Sequence, residues 1–361
     1  PLFGLSGGGA LSSFFQKCGL NMHYDFHRSF LKSYYLNYNL FKERHRNNIL
    51  YYTEWGLNTL YREKFLSLFL KKVIILFLVR DPISRLKTAV NHHTNNPDKD
   101  VRLFNLSSDF NKILNCKKYG TSIVGKFANA PMIEYLNFWF FTDRWFLYNS
   151  LLSSIRNFEV FYIDMEEIKP AKAFDTMCVL ADKFGFKRPV DKINFSHIVF
   201  DDTIGYFPMR LHVEDMIIII TTLLRAKQMR QSKEYINFTK EFFDKPLKYE
   251  NLGIFLKPQE FGRLKQDSKL FDVTKRYLNN FIEALEERID LEKAKLFKEK
   301  DVLNYLKENK ELRVKLKNIL DKELVHIKQH RPDIVASWKY YQEFEKMCKE
   351  LDDGDIYEKD L

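Results

Sequence analysis

Cysteine is scarce and unpaired in this 361-residue chain. Cys18, Cys116, Cys178 and Cys348 stand far apart, which excludes a zinc-ligand pattern or a disulfide framework and makes a reducing cytoplasm the expected compartment. Long apolar runs are missing as well. The longest, Val73 to Val79 and Met216 to Ile220 with its Thr-Thr-Leu-Leu extension, fall short of the about 20 residues a spanning helix needs. No signal peptide opens the sequence, so the expected protein is cytoplasmic, with any membrane association only peripheral and at the inner face. No D-x-D motif marks a strand end, and Asp201-Asp202 is not one. Metal-dependent glycosyl transfer therefore ranks last, and no metal site is expected. No tandem repeat stands out.

Charge and aromatics are plentiful. The 58 basic and 48 acidic residues leave a net charge of +10, which suits nucleotides, polyanionic glycans or a membrane surface without selecting among them. The 33 phenylalanines and 19 tyrosines fit carbohydrate binding and biased coding composition alike. The length allows one large domain or two.

The stretch Val73 to His93 organises the rest. Seven apolar residues, 73–79, read as a strand buried on both faces. Asp81 then supplies a helix cap and Pro82 a first helical position. Arg85 and Thr88 share a face of that helix, and Arg80 points to its mouth. A guanidinium, a hydroxyl and helix N-terminal amides together make an anion cradle, best suited to phosphate. A strand–Arg-Asp-Pro–helix junction is also how an ordinary βα turn reads.

Upstream, Ser6, Gly7, Gly8 and Gly9 lie between a short apolar piece and a helical pattern. Glycines there let backbone amides approach phosphate, although a flexible leading segment would look the same. His23, Asp25 and His27 form a cluster of proton carriers, which a solvated loop would also explain. Downstream, Asn95 to Lys118 is polar and turn-rich, an insertion over a site mouth. Met132 to Ile155 reads as one aromatic helix whose rings suit a core better than a sugar platform. Phe158 to Asp164 reads as a strand ending in acids, and Ala171 to Phe186 as a helix.

The run Arg80-Asp81-Pro82-x-x-Arg85-x-x-Thr88 resembles the 3′-phosphate signature of sulfotransferases, R-D-P-x-x-R-x-x-S, with threonine keeping the hydroxyl. The glycine run resembles their 5′-phosphate loop, and residues 158–186 their closing strand and helix; the likeness covers roughly residues 1–190. Leu5 stands where the family keeps lysine, and Gly9 and Ala10 replace hydroxyl residues. The sequence as a whole resembles bacterial capsule-cluster proteins that transfer O-methyl phosphoramidate to capsular sugars.

That resemblance implies an α/β fold, a P-loop-like sulfotransferase core with a central parallel sheet flanked by helices, plus a C-terminal helical extension. It implies a 3′-phosphorylated cytidine diphosphate-type donor as co-substrate, with no permanently bound cofactor, and a capsular or other surface polysaccharide as acceptor, with no nucleic acid. Ser6, Gly7, Gly8, Gly9, Arg80, Arg85 and Thr88 would hold the donor. His23, Asp25 or His27 would serve as general base, and His92 and His93 would lie toward the acceptor. Lys17 or Arg28 could stand in for the missing lysine. A sulfotransferase using 3′-phosphoadenosine 5′-phosphosulfate on a glycan and a non-catalytic nucleotide- or glycan-binding relative are the alternatives.

The expected divisions are a catalytic core at 1–200, a covering segment at 201–266 and helices at 267–361. Met216 to Glu241 reads as a helix or strand on the core. The long amphipathic helices beyond 267, broken at Arg331-Pro332, read as a solvated appendage or as an acceptor or assembly module.

Overall fold

A computed structural model describes residues 7–24, 39, 48–51, 72–95, 103–115, 117–119, 128–140, 146, 148–152, 155, 157–196, 206–228 and 233–352. They begin with α1 (Gly8–Lys17), β1 (Asn21–Tyr24), β2 (Asn48–Tyr51), β3 (Val73–Val79), α2 (Pro82–Val90), β4 (His93–Asn95) and β5 (Leu103–Asn105). Next come α3 (Phe110–Leu114), β6 (Lys117–Tyr119), α4 (Tyr135–Phe140), α5 (Tyr148–Leu152), β7 (Phe158–Asp164) and α6 (Ala173–Phe184). Then follow β8 (Met209–Val213), β9 (Met216–Thr222), α7 (Leu223–Gln228), β10 (Ile236–Asn237), α8 (Thr239–Phe242) and β11 (Leu252–Leu256). Helices complete the chain: α9 (Pro258–Gln266), α10 (Ser268–Ala294), α11 (Glu299–Glu308), α12 (Lys310–Glu323), α13 (Val325–His330), α14 (Pro332–Ser337) and α15 (Lys339–Asp352).

Two compact units arise, each from separate stretches of chain: Pro1–Val90, Ile133–Phe200 and Phe297–Leu361 in the first, Asn91–Met132 and Asp201–Leu296 in the second. The sequence divisions at 200 and 266 are contiguous, whereas these units are not.

In the first unit β3 pairs with β7 in parallel, from Val73 opposite Phe158 to Val79 opposite Asp164. β1 and β2 form a second parallel pair. Burial on both faces holds for the far half of β3, where Phe77, Leu78 and Val79 are wholly buried, but Ile74 near its start is 55% exposed. On one face Leu78 and Ile163 pack against Leu11, Phe14 and Phe15 of α1 and Met177 and Leu180 of α6. Each such side chain contributes about 1.5–3 kcal/mol by leaving water. On the other, Phe77 stacks on Tyr162 with ring centroids 5.5 Å apart and meets Tyr148 edge-on at 5.7 Å.

Of the aromatic helix expected over 132–155, the described residues show two short helices, α4 and α5, with Phe146 in a turn between them. Tyr135 and Tyr148 are buried, so these rings serve the core. The last helices are not a solvated appendage. Leu306 of α11, Leu316 and Leu320 of α12, Ile327 of α13 and Phe344 of α15 are wholly buried within the first unit. Arg331 and Pro332 do mark a break, and Arg331 Nη1 there donates to the Tyr162 carbonyl of β7 at 3.0 Å. At the far end, Arg313 of α12 donates to both carboxylate oxygens of Asp352 at 2.6 and 2.8 Å, and to the Leu306 carbonyl at 2.9 Å.

In the second unit the five-stranded sheet runs β10-β11-β9-β8-β5, with β5–β8 parallel and the other pairs antiparallel. α10 covers one face: Phe281 stacks on Phe104 with centroids 4.8 Å apart, and Leu278 and Leu285 join the same core. The Met216 to Glu241 stretch supplies strand β9, the short helix α7, the two-residue strand β10 and the start of α8. The polar 95–118 segment supplies β5, α3 and β6, with β6 antiparallel to β4. The fold is therefore mixed α/β, with parallel pairs and a mixed sheet flanked by helices, and with C-terminal helices built into the core.

Candidate functional site

Because β3 and β7 are parallel and in register, their carboxyl ends lie at one edge of the pair, Val79 opposite Asp164. Arg80 follows the first strand and Met165 the second. Gly7, the N-cap of α1, has φ 88° and ψ 13°, a left-handed conformation that favours glycine. A Cβ on Gly7 would lie 2.2 Å from the Met165 sulfur and 3.2 Å from Cδ1 of Ile168. The glycine turn thus abuts the turn that leaves β7, and Arg80 feels the charge of Glu166 in that turn. Gly7, Arg80 and Asp164 converge at the carboxyl end of a parallel pair, where open α/β sheets bind ligands. Gly7→Ala is expected to cost about 1–2 kcal/mol for the backbone conformation, plus the displacement of Met165, measured as a lowered midpoint of urea unfolding.

Asp81 caps α2 as the sequence predicts. Its Oδ1 accepts from the amides of Ile83 at 2.9 Å and Ser84 at 3.1 Å. Its Oδ2 accepts from Tyr340 N at 2.9 Å and Tyr341 N at 3.2 Å, so the same carboxylate also caps α15. Burial pushes this carboxyl up from its ordinary value, while the four amides favour the ionised form. The expectation that the first amides of α2 stay open for an anion is corrected, because those of Ile83 and Ser84 are taken by Asp81. Asp164 has a similar post at the end of β7. Its oxygens accept from Glu166 N at 2.9 Å and from the Trp338 indole at 2.6 Å, and burial raises its carboxyl too.

Arg80 is half-buried. Burial lowers its guanidinium from the ordinary value, and the charges of Glu299, Asp81 and Glu166 oppose that shift. Arg85 is wholly buried, its guanidinium 5.1 Å from the centre of the Phe146 ring. Thr88 is half-buried and donates to the Ser84 carbonyl one turn back at 3.0 Å. To serve a phosphate its hydroxyl must turn from that carbonyl.

Sequence reasoning missed Glu299, the first residue of α11. Its Oε1 accepts from Ser84 Oγ at 3.2 Å and pairs with Lys87 Nζ at 3.3 Å. No local pattern marks it, since its contacts come from more than 200 residues away.

Gly8 and Gly9 open α1, the first buried and the second exposed. His23 lies half-buried on β1, opposite Leu50 of β2. Ser6, Asp25, His27 and Arg28 lie outside the described residues. His92 is half-buried, and burial lowers its imidazole; His93 opens β4 opposite Tyr119. Both histidines belong to the second unit. Lys17 sits at the opposite end of α1 from Gly7, about 15 Å away along a ten-residue helix. There it donates to the Asn194 carbonyl at 2.5 Å, so Lys17 does not replace the loop lysine. Among the described residues no His, Cys, Asp or Glu group is placed to hold a metal ion, and no helix is long and apolar enough to cross a membrane.

The first unit is thus that of a mixed α/β protein with cations, carboxylates and a glycine turn gathered at its parallel strand ends. Residues 162–351, more than half of the chain, match a family model described as a protein of unknown function (DUF2972), and the chain belongs to that family. The matched region takes in Asp164, Glu299 and Trp338 and leaves out Gly7 and residues 80–88. No curated protein and no solved structure matches the chain.

Proposed function

We propose that the chain is a group transferase built on a P-loop-like core and using a 3′-phosphonucleotide donor. The observation that carries this reading is the meeting of the left-handed Gly7 turn and Arg80 at one end of the β3–β7 pair. In it Arg80 and Thr88 hold the 3′-phosphate, and the amides at Gly7, Gly8 and Gly9 face the pyrophosphate. A sugar hydroxyl of a capsular polysaccharide attacks the transferred group, the bond to the bridging oxygen breaks, and the proton goes to a base near β1, with His23 the candidate among the described residues. With Leu5 in place of the loop lysine, the bridging oxygen lacks the cation that sulfuryl transfer uses. That argues against sulfate as the transferred group, while O-methyl phosphoramidate, and with it cytidine in the donor, rests on the overall resemblance of the sequence and not on any one residue.

The test is calorimetric titration with cytidine and adenosine 3′,5′-bisphosphates, each beside its 5′-monophosphate. Arg80→Ala removes a charge-assisted contact and should weaken bisphosphate binding by about 1.5–3 kcal/mol, with little effect on the monophosphate. Preference for the adenosine form would turn the reading to sulfation. Unchanged affinity in the variant would remove Arg80 from the site.

A further inference from the structure

We propose that the Glu299 carboxylate is an internal competitor for the donor phosphate, holding the same face of α2 and giving way when a 3′-phosphonucleotide binds. This rests on the phosphonucleotide reading of Arg80 and Thr88. Positions 84, 87 and 88 follow one another at helical spacing along that face, and Arg80 lies just before the helix, at the end of β3. Two of them, Ser84 and Lys87, already hold one oxygen of Glu299 at 3.2 and 3.3 Å. Among charged neighbours, Glu299 stands first in supporting the charge of Arg80.

The carboxylate accepts from its own backbone amide at the first position of α11, but it is not the cap of that helix. Asp301 caps α11 instead, its Oδ2 accepting from Lys298 N at 2.6 Å. Glu299 also reaches α2, where one negative charge meets the Ser84 hydroxyl and the Lys87 ammonium and lies in the field of Arg80. A phosphate monoester brings up to two charges and three acceptor oxygens to the same groups. Binding is then an exchange of anions, and the apparent affinity is reduced by the fraction of molecules in which Glu299 is in place. An ordinary helix-to-helix staple between α11 and α2 would use the same contacts but would leave affinity alone.

The experiment titrates cytidine and adenosine 3′,5′-bisphosphates calorimetrically into wild type, Glu299→Gln, Glu299→Asp, Glu166→Gln and Arg80→Ala, with urea unfolding of each. Glu299→Gln is expected to bind the preferred bisphosphate about tenfold more tightly. Glu299→Asp keeps the charge but draws it back from Ser84 and Lys87, and should gain in the same direction. Glu166→Gln removes a charge from the field of Arg80 without touching α2, and sets the purely electrostatic background. Affinity in both Glu299 variants no higher than in Glu166→Gln would overturn the proposal. If Arg80→Ala still weakened bisphosphate binding in that case, the phosphonucleotide reading would stand without it. A gain in Glu299→Gln but none in Glu299→Asp would assign the effect to charge alone and also overturn displacement. Absence of bisphosphate preference in every protein would overturn the site reading and the competitor together.

Discussion

Asp352→Ala is expected to cost about 3–5 kcal/mol of stability, the largest loss of any substitution considered. The Arg313–Asp352 pair is bidentate, with side chains 5% and 0% exposed. Removing the carboxylate leaves a guanidinium in the interior with only backbone carbonyls to satisfy it, and a buried uncompensated charge is far more costly than the pair is stabilising. Replacing both partners at once, Arg313→Met with Asp352→Leu, should recover most of the loss, because an apolar pair of similar volume carries no desolvation cost. Urea unfolding of the single and double variants checks this. Equal losses in both would mean that the pair's worth lies in its geometry at the ends of α12 and α15.

Asp81→Ala should come next, at about 3 kcal/mol, because one side chain caps two helices and each cap is typically worth about 1 kcal/mol, with more lost where the orphaned amides are buried. Asp81→Asn keeps a single acceptor oxygen and can satisfy α2 or α15, but not both, so it should fall about midway. The distinguishing measurement is hydrogen exchange. Asp81→Ala should speed exchange at Ile83 and Ser84 and equally at Tyr340 and Tyr341. Loss confined to the first pair would show that α15 is held by other contacts.

Both carboxylates explain what could be read from sequence. The strand 73–79, the cap at Asp81 and the start at Pro82 depend on neighbours within three residues, and each was legible from local chemistry. The closing strand and helix at 158–186 were legible for the same reason. Asp81 was readable as the cap of α2, but not as the cap of α15, whose amides lie 259 and 260 residues further on. The period of the last helices revealed a buried face without revealing what it meets, which is why α11 to α15 read as an appendage and proved to be core. Arg85 illustrates the converse limit. A guanidinium at helical spacing from a threonine suits an anion, while its place beside the Phe146 ring depends on a residue far along the chain. Glu299 carried no signal at all, since an acid opening a charged helix is commonplace and its meaning lies in Ser84 and Lys87.

The capping of α2 and α15 by one carboxylate also has a consequence in time. A ribosome adding about 5–20 residues per second needs on the order of 10–50 s to travel the 259 residues from Asp81 to Tyr340. β7 is made within that interval, and the Tyr162 ring then waits for His326 of α13, which it meets with ring centroids 5.8 Å apart. A nascent chain of this protein therefore carries the β3–β7 pair without the helices that complete its unit until α11 to α15 are made, and chaperone demand should fall once α15 emerges.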